Sequence, residues 1–170
     1  MHSHWLRPDW DPGVTISHLP LEHLLSRDMR ALIIDVDRTL VPGRDVSLPT
    51  PVQDWIKQAK AETELKLHLL SNNPSQQRIG AVAEQLGLSF TCAAAKPRSG
   101  ALRRVLRELG FRAEQTGMVG DRLFTDILAG NRLGLYTVLV CPLRDDGEVY
   151  THDRIQRFER YIARLMGAGC

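Results

Sequence analysis

Apolar residues fall along this chain in two distinct patterns. From Ala31 to Val36 they run almost unbroken, Ala-Leu-Ile-Ile-Asp-Val, between polar neighbours. A short run of this kind reads as a buried strand. Leu65–Leu70, Ser89–Ala93, Thr116–Val119 and Tyr136–Cys141 read the same way. Between these runs the spacing changes to every third or fourth residue, which is helical. Val52, Trp55, Ile56 and Ala59 predict a helix over Thr50–Glu62, with Thr50 as its cap and Pro51 in its first turn. Ile79, Val82, Ala83 and Leu86 predict a second, opened by Asn73-Pro74-Ser75 and ended by Gly87. Leu102, Val105, Leu106 and Leu109 predict a third over Ser99–Leu109, stopped by Gly110. Short helices are expected at Leu19–Ser26 and Leu123–Asn131. A last one, over about 154–166, carries Ile155, Phe158, Ile162 and Leu165. Residues 1–17 are rich in Pro, Asp and Gly and are expected to form an extended arm.

Strands alternating with helices predict an α/β fold: a parallel sheet with helices on both faces and right-handed crossovers. The chain then divides into the arm, 1–17, and one domain, 18–170. Ligands of such sheets bind beyond the carboxyl ends of the strands, and the strand ends here are polar. The first strand ends in Asp35 and Asp37, and the second in Ser71-Asn72-Asn73. Lys96-Pro97 follows the third. The fourth ends in Gly120-Asp121, with Asp126 five residues on. Asp35 and Asp37, two positions apart, are expected to converge. Their repulsion calls for a cation, and Mg²⁺ takes one or two carboxylates with water and phosphate oxygens. A lone Asp-x-Asp is more often a solvated turn, and a Ser-Asn-Asn a helix cap. Four such sets, each after a predicted strand, point to one phosphoryl-transfer site.

Composition narrows the class without choosing the chemistry. At 170 residues the chain is long enough for one real core, and a net charge of +2 gives no strong pull toward nucleic acid. Three cysteines, Cys92, Cys141 and Cys170, have no paired spacing, as expected of a reducing compartment. No run approaches the length of a membrane span, and Met1-His2-Ser3-His4-Trp5-Leu6 lacks a signal-peptide core. A cytoplasmic protein is the expectation, peripheral at most to the inner face of a membrane.

The four strand-end sets resemble the motifs of the haloacid dehalogenase superfamily: Asp35-x-Asp37-x-Thr39, Ser71, Lys96 and Gly120-Asp121-x-x-x-x-Asp126. The resemblance implies a Rossmann-like three-layer sandwich and a Mg²⁺-dependent phosphatase. It implies Asp35 as nucleophile, forming an aspartyl-phosphate, and Asp37 as general acid and base. Lys96 would offset charge on the phosphoaspartate, and Thr39, Ser71 and Asn72 would bind phosphate or steady the aspartates. The metal would be held by Asp35, the Asp37 carbonyl, Asp121 and Asp126. Receiver domains also combine Asp, Thr, Lys and Mg²⁺, but need no Asp-x-Asp-x-Thr unit.

Ser71 follows Thr39 by 32 positions (71 − 39), and Lys96 follows Ser71 by 25 (96 − 71). Each interval already holds a helix and a strand, so no cap domain fits and the site is expected to be open. An open site suits a lipid head group or a macromolecule. Ser71-Asn72-Asn73, 119–126 and Gly130-Asn131-Arg132 are similar to the YqeG-like branch of subfamily IIIA, which resembles phosphatidylglycerophosphate phosphatases. The resemblance thus implies that lipid as substrate. A soluble sugar or nucleotide phosphate, or a non-enzymatic phosphate- and partner-binding domain, stay as alternatives.

Other residues of the chain admit plainer readings. Arg38 is expected to point away from the metal, toward substrate. In the last helix Arg157, Arg160 and Arg164 lie beside Phe158, Ile162 and Leu165. That pattern suits an anionic bilayer, but core packing with a solvated arginine face is the commoner cause. Trp5, Leu6 and Trp10 dip into a membrane, pack on the domain or stay disordered. His2-x-His4 is a poor metal site on a flexible end, His68 is a packed strand histidine, and Cys92 and Cys141 are small apolar fillers. Asp145-Asp146 reads as a surface loop.

Overall fold

The computed structural model describes residues 3–43, 46–62, 64–144 and 153–167. His2, Cys170 and the Asp145-Asp146 loop lie outside them. Five strands form one all-parallel sheet: β1 (Ala31–Ile34), β2 (Lys66–Leu70), β3 (Ser89–Thr91), β4 (Thr116–Gly120) and β5 (Tyr136–Leu139). Their order is β3-β2-β1-β4-β5. The chain winds outward one way from β1 to β3, then crosses back and winds the other way from β4. The crevice between β1 and β4 is the switch point where such sheets hold ligands. Register aligns the strand ends, Ile34 lying opposite both Leu69 and Val119.

Helices cover both faces: α1 (Leu21–Leu25), α2 (Thr50–Ala61), α3 (Gln76–Leu86), α4 (Gly100–Leu109), α5 (Leu128–Asn131) and α6 (Arg154–Leu165). Alternation along β1 sends Leu32 and Ile34 into a core with Val52 and Ile56 of α2 and Ile79 and Val82 of α3. Ile33 faces the other way, toward Leu102 and Val105 of α4. All four β1 residues are fully buried, which is why the run shows no alternation in sequence. Among the described residues no cap domain interrupts the intervals after Thr39 and Ser71.

Several boundaries differ from the sequence reading. β1 stops at Ile34, and the chain turns back at once, with Leu40 and Val41 donating to the Val36 carbonyl. Thr50 is the first residue of α2 and caps nothing; Pro49 holds the cap position. Ser75 does cap α3, accepting from the Arg78 amide. Leu123–Ile127 is one π-helical turn ahead of α5, a form common at functional sites. His68 packs as expected, its ring nitrogens meeting Ser89 Oγ at 2.8 Å and Thr91 Oγ1 at 3.0 Å. Cys92 and Cys141 are only half-buried.

The N-terminal arm is docked. Trp10 donates to the Thr137 carbonyl at 3.0 Å and accepts from the Leu139 amide at 2.9 Å, a parallel bridge at the free edge of β5. The Asp9 carboxylate accepts from the Thr137 amide and hydroxyl. The Trp10 ring stacks on His23 at 3.9 Å, and Leu6 is buried against Leu123, Ile127, Leu139 and Ala163. The arm thus covers an edge that would otherwise expose unpaired peptide groups.

Helix α6 reverses the polarity expected of it. Its buried side chains are Gln156, Glu159 and Ala163. Phe158, Tyr161 and Leu165 are 63, 59 and 67% exposed, and Ile155 and Met166 are exposed beside them. Core packing of the apolar stripe is therefore overturned. The cause is the partners that the buried polar groups find at the site described next.

Candidate active site

Three strand ends and one loop bring the strand-end residues together. Asp35 directly follows β1, tied to β4 by its amide donating to the Val119 carbonyl. Lys96 enters from the loop after β3, donating two hydrogen bonds and making an ion pair with Asp126. It reaches Asp35 Oδ1 at 2.6 Å, Asp126 Oδ1 at 2.7 Å and the Leu70 carbonyl at 2.9 Å. Asp121 follows β4. The π turn carries Asp126, whose other oxygen accepts from the Arg122 amide at 3.1 Å. Gly120 makes room for it: a Cβ there would sit 2.4 Å from the Asp126 carboxyl carbon.

Ligand oxygens of Asp35, Asp121 and Asp126 lie within 4.8 Å of one another, and all three residues are buried. Three carboxylates thus share one ammonium, with the Arg38 guanidinium 3.7 Å from Asp121. Burial pushes Asp35 up to about 7 against the pull of Lys96, and Asp126 adds to the rise. Burial, then Asp35 and Asp126, lift Asp121 well above the usual carboxylate range, although Arg38 and Arg122 oppose it. Burial works against the Lys96 charge, but Asp126 and Asp35 outweigh it and raise that group. Asp121 Oδ2 is buried with no hydrogen-bond partner. An orphaned carboxylate oxygen among like charges is costly unless a cation or a proton meets it. An oxygen-only donor set of this kind fits a hard divalent cation.

The Asp37 carboxylate is not part of this group. It pairs with Arg78 Nη1 at 2.6 Å and accepts from Ser71 Oγ at 3.2 Å. Strand alternation fails to bring Asp35 and Asp37 onto one target because the strand has already ended at Ile34. Ser71 is thereby seen steadying Asp37, and it also accepts from the Asn73 amide. Asn72, expected at phosphate, lines the cleft and brackets the Lys96 main chain. Its amide donates to the Lys96 carbonyl at 3.0 Å and accepts from the Lys96 amide at 2.7 Å. Thr39 is fully buried with its hydroxyl unpartnered.

Arg38 does not point away. Its φ of 66° turns the side chain inward. There Nε stands 3.7 Å from Asp121 Oδ2, and the guanidinium pairs with Asp153. Asp153 caps α6, and the helix continues the contact: Gln156 donates to the Asp121 carbonyl at 2.9 Å. Glu159 accepts from Arg122 Nε at 2.7 Å and the Leu123 amide at 2.9 Å. Arg78, Asp153, Gln156 and Glu159 were all missed from sequence. A basic residue in the first turn of α3 opposes the helix dipole, which was a usable signal for Arg78. Asp153-x-x-Gln156 has capping-box spacing, which marked the helix start but not the contact.

The cleft lined by Asp35, Asp37, Arg38, Asn72, Lys96, Asp121, Arg122 and Thr125 encloses about 150 Å³. That is below the roughly 300 Å³ at which ligand pockets begin, so the cleft has room for a small group only.

Comparison with known proteins agrees with this geometry. A family model described as HAD-hydrolase-like matches residues 93–146. "Probable phosphatase YqeG" of Bacillus subtilis is 33% identical over 88% of this chain and 83% of its own. The chain belongs to the haloacid dehalogenase (HAD) superfamily. Phosphatidylglycerophosphate phosphatase 1 of Arabidopsis thaliana is 26% identical to this HAD phosphatase over 85% of the chain. The match spans only 43% of that relative. A subfamily III A HAD protein of Legionella pneumophila superposes with a TM-score of 0.53 at 21% identity over 69% of each chain. It shares the HAD fold.

Proposed function

We propose that this HAD phosphatase is a Mg²⁺-dependent phosphomonoesterase that works through an aspartyl-phosphate on the terminal phosphate of phosphatidylglycerophosphate. One observation carries the reading. Asp35 sits at the centre of the carboxylate–lysine cluster, while Asp37, two residues on, is held by a separate set of partners. Two carboxylates in different surroundings suit two different tasks.

In this mechanism a carboxylate oxygen of Asp35 attacks phosphorus. The bond to the ester oxygen breaks, and Asp37 delivers a proton to that leaving oxygen. Water then attacks the phosphoaspartate, Asp37 takes its proton, and the Asp35–phosphorus bond breaks to release inorganic phosphate. Lys96 holds Asp35 in line and offsets charge on the phosphoryl oxygens. Ser71 and Arg78 keep Asp37 turned toward the leaving group, and Thr39 offers its unpartnered hydroxyl. Asp35, Asp121 and Asp126, with the Asp37 carbonyl, would hold Mg²⁺, which supplies Lewis-acid polarisation of the phosphoryl group.

Two facts support a lipid substrate: the relative named for phosphatidylglycerophosphate, and a cleft with room for a small group only. The rest of the molecule then lies outside the cleft, where a lipid tail stays in its membrane and the enzyme meets it peripherally.

The test is phosphate release with Mg²⁺ from phosphatidylglycerophosphate, sugar phosphates and nucleotides. Turnover of the lipid well above the others, lost in Asp35→Asn and in chelator, is expected. Faster turnover of a soluble phosphate moves the substrate to that class. No turnover of any phosphomonoester leaves a phosphate-binding domain.

A further inference from the structure

The exposed face of α6 carries a chemistry that the site does not use. Ile155, Phe158, Tyr161, Leu165 and Met166 are all exposed. Phe158, Tyr161 and Leu165 recur at helical spacing on the side opposite the buried Gln156, Glu159 and Ala163, with Ile155 and Met166 on its flank. Arg154, Arg157 and Arg164 are exposed on the same helix. The two acidic residues of the segment are withdrawn from this surface. Asp153 is buried and paired with Arg38, and Glu159 is buried and paired with Arg122. What α6 shows to its surroundings is therefore apolar and cationic, with no carboxylate on it.

We infer that this face of α6 docks the protein on an anionic lipid bilayer. The apolar residues enter the interface and the arginines meet lipid phosphates. Charge decides against a second copy of the chain, because a two-fold contact through this face brings arginine rows together. The helix is also fixed in direction. Its N-terminal end is anchored beside the cleft through Asp153 and Gln156. The inference gives a surface partner to the lipid-phosphate reading and rests on it for its purpose, but not for its test.

The test is co-sedimentation of the full chain with vesicles of phosphatidylcholine alone or containing phosphatidylglycerol. Wild type should pellet with the anionic vesicles only, and less at high salt. The double variant Phe158→Glu/Leu165→Glu should lose this binding at least about tenfold while hydrolysing p-nitrophenyl phosphate as wild type does. The milder Phe158→Ser/Leu165→Ser should lose it in part. Lack of wild-type binding, equal binding to neutral vesicles, or binding indifferent to both variants overturns the inference. So does a wild-type dimer that the variants dissociate without any vesicle binding. Wild type that binds vesicles but hydrolyses nothing refutes the phosphatase reading and leaves this one standing; the reverse result does the opposite.

Discussion

Replacing Gly120 by alanine tests the site through its backbone. The new methyl would stand 2.4 Å from both the carboxyl carbon and Oδ2 of Asp126, and 2.6 Å from its Cβ. Ordinary contact begins at 3.4 Å, so the carboxyl group has to retreat by about 1 Å. Its main chain cannot follow freely, since the Asp126 amide donates to Arg122 inside the π turn. Asp126 Oδ1 now lies 2.7 Å from Lys96 Nζ. The same retreat loosens that ion pair. Lys96 then has a weaker hold on one of its three partners, and the carboxylate group loses its shape. Overpacking of this size costs about 1–3 kcal/mol, or about 2–12 °C in Tm for a domain of this length. A misplacement of about 1 Å at reacting groups costs about a hundredfold in turnover. The assay is p-nitrophenyl phosphate hydrolysis across a Mg²⁺ titration, with thermal melts alongside. Gly110→Ala is the control: Gly110 has a φ of 77° and nothing within 4 Å. Strain there lowers Tm by a comparable amount and should leave turnover intact. Wild-type turnover and Mg²⁺ dependence in Gly120→Ala would refute the claim that this glycine sets the place of Asp126.

Two further predictions address charge. Asp35 is raised to about 7 from 3.8, so between those values the metal-free fold keeps a proton that the unfolded chain has released. That stability is fully present below the unfolded value and is lost as pH rises through about 7. In chelator, Tm should fall more steeply with rising pH for wild type than for Asp35→Asn, and Mg²⁺ should flatten the wild-type curve; parallel curves in chelator refute the assignment. Asp37→Asn should lower kcat by about 10²–10⁴-fold. Arg78→Ala should lower it by less, because Ser71 still holds Asp37, and an Arg78→Ala enzyme with unchanged kcat would remove Arg78 from the site.

The strands and helices were legible because burial on both faces of a parallel sheet demands unbroken apolar runs, and one-sided helix burial demands a stripe. Asp35, Lys96, Asp121 and Asp126 were legible because this fold gathers strand ends at a switch point. What escaped depends on facts that no period encodes. Arg38 turns inward through a positive φ. Arg78 and Asn72 find partners across loops, and α6 is seated by Arg38, Arg122 and the Asp121 carbonyl rather than by its apolar residues. Its stripe was visible, yet the side that faces the protein was decided by polar contacts far off in sequence.

The seam between Trp10 and β5 has a consequence for the order of folding. Asp9 and Thr137 are 128 positions apart, so the arm cannot pair until β5 is in place. Contacts of such long range form late and slow a fold's completion. The arm is therefore expected to close after the central strands have assembled. Stacked on His23, Trp10 is a natural fluorescent reporter of that final step, separable in time from burial of Trp55 in the main core.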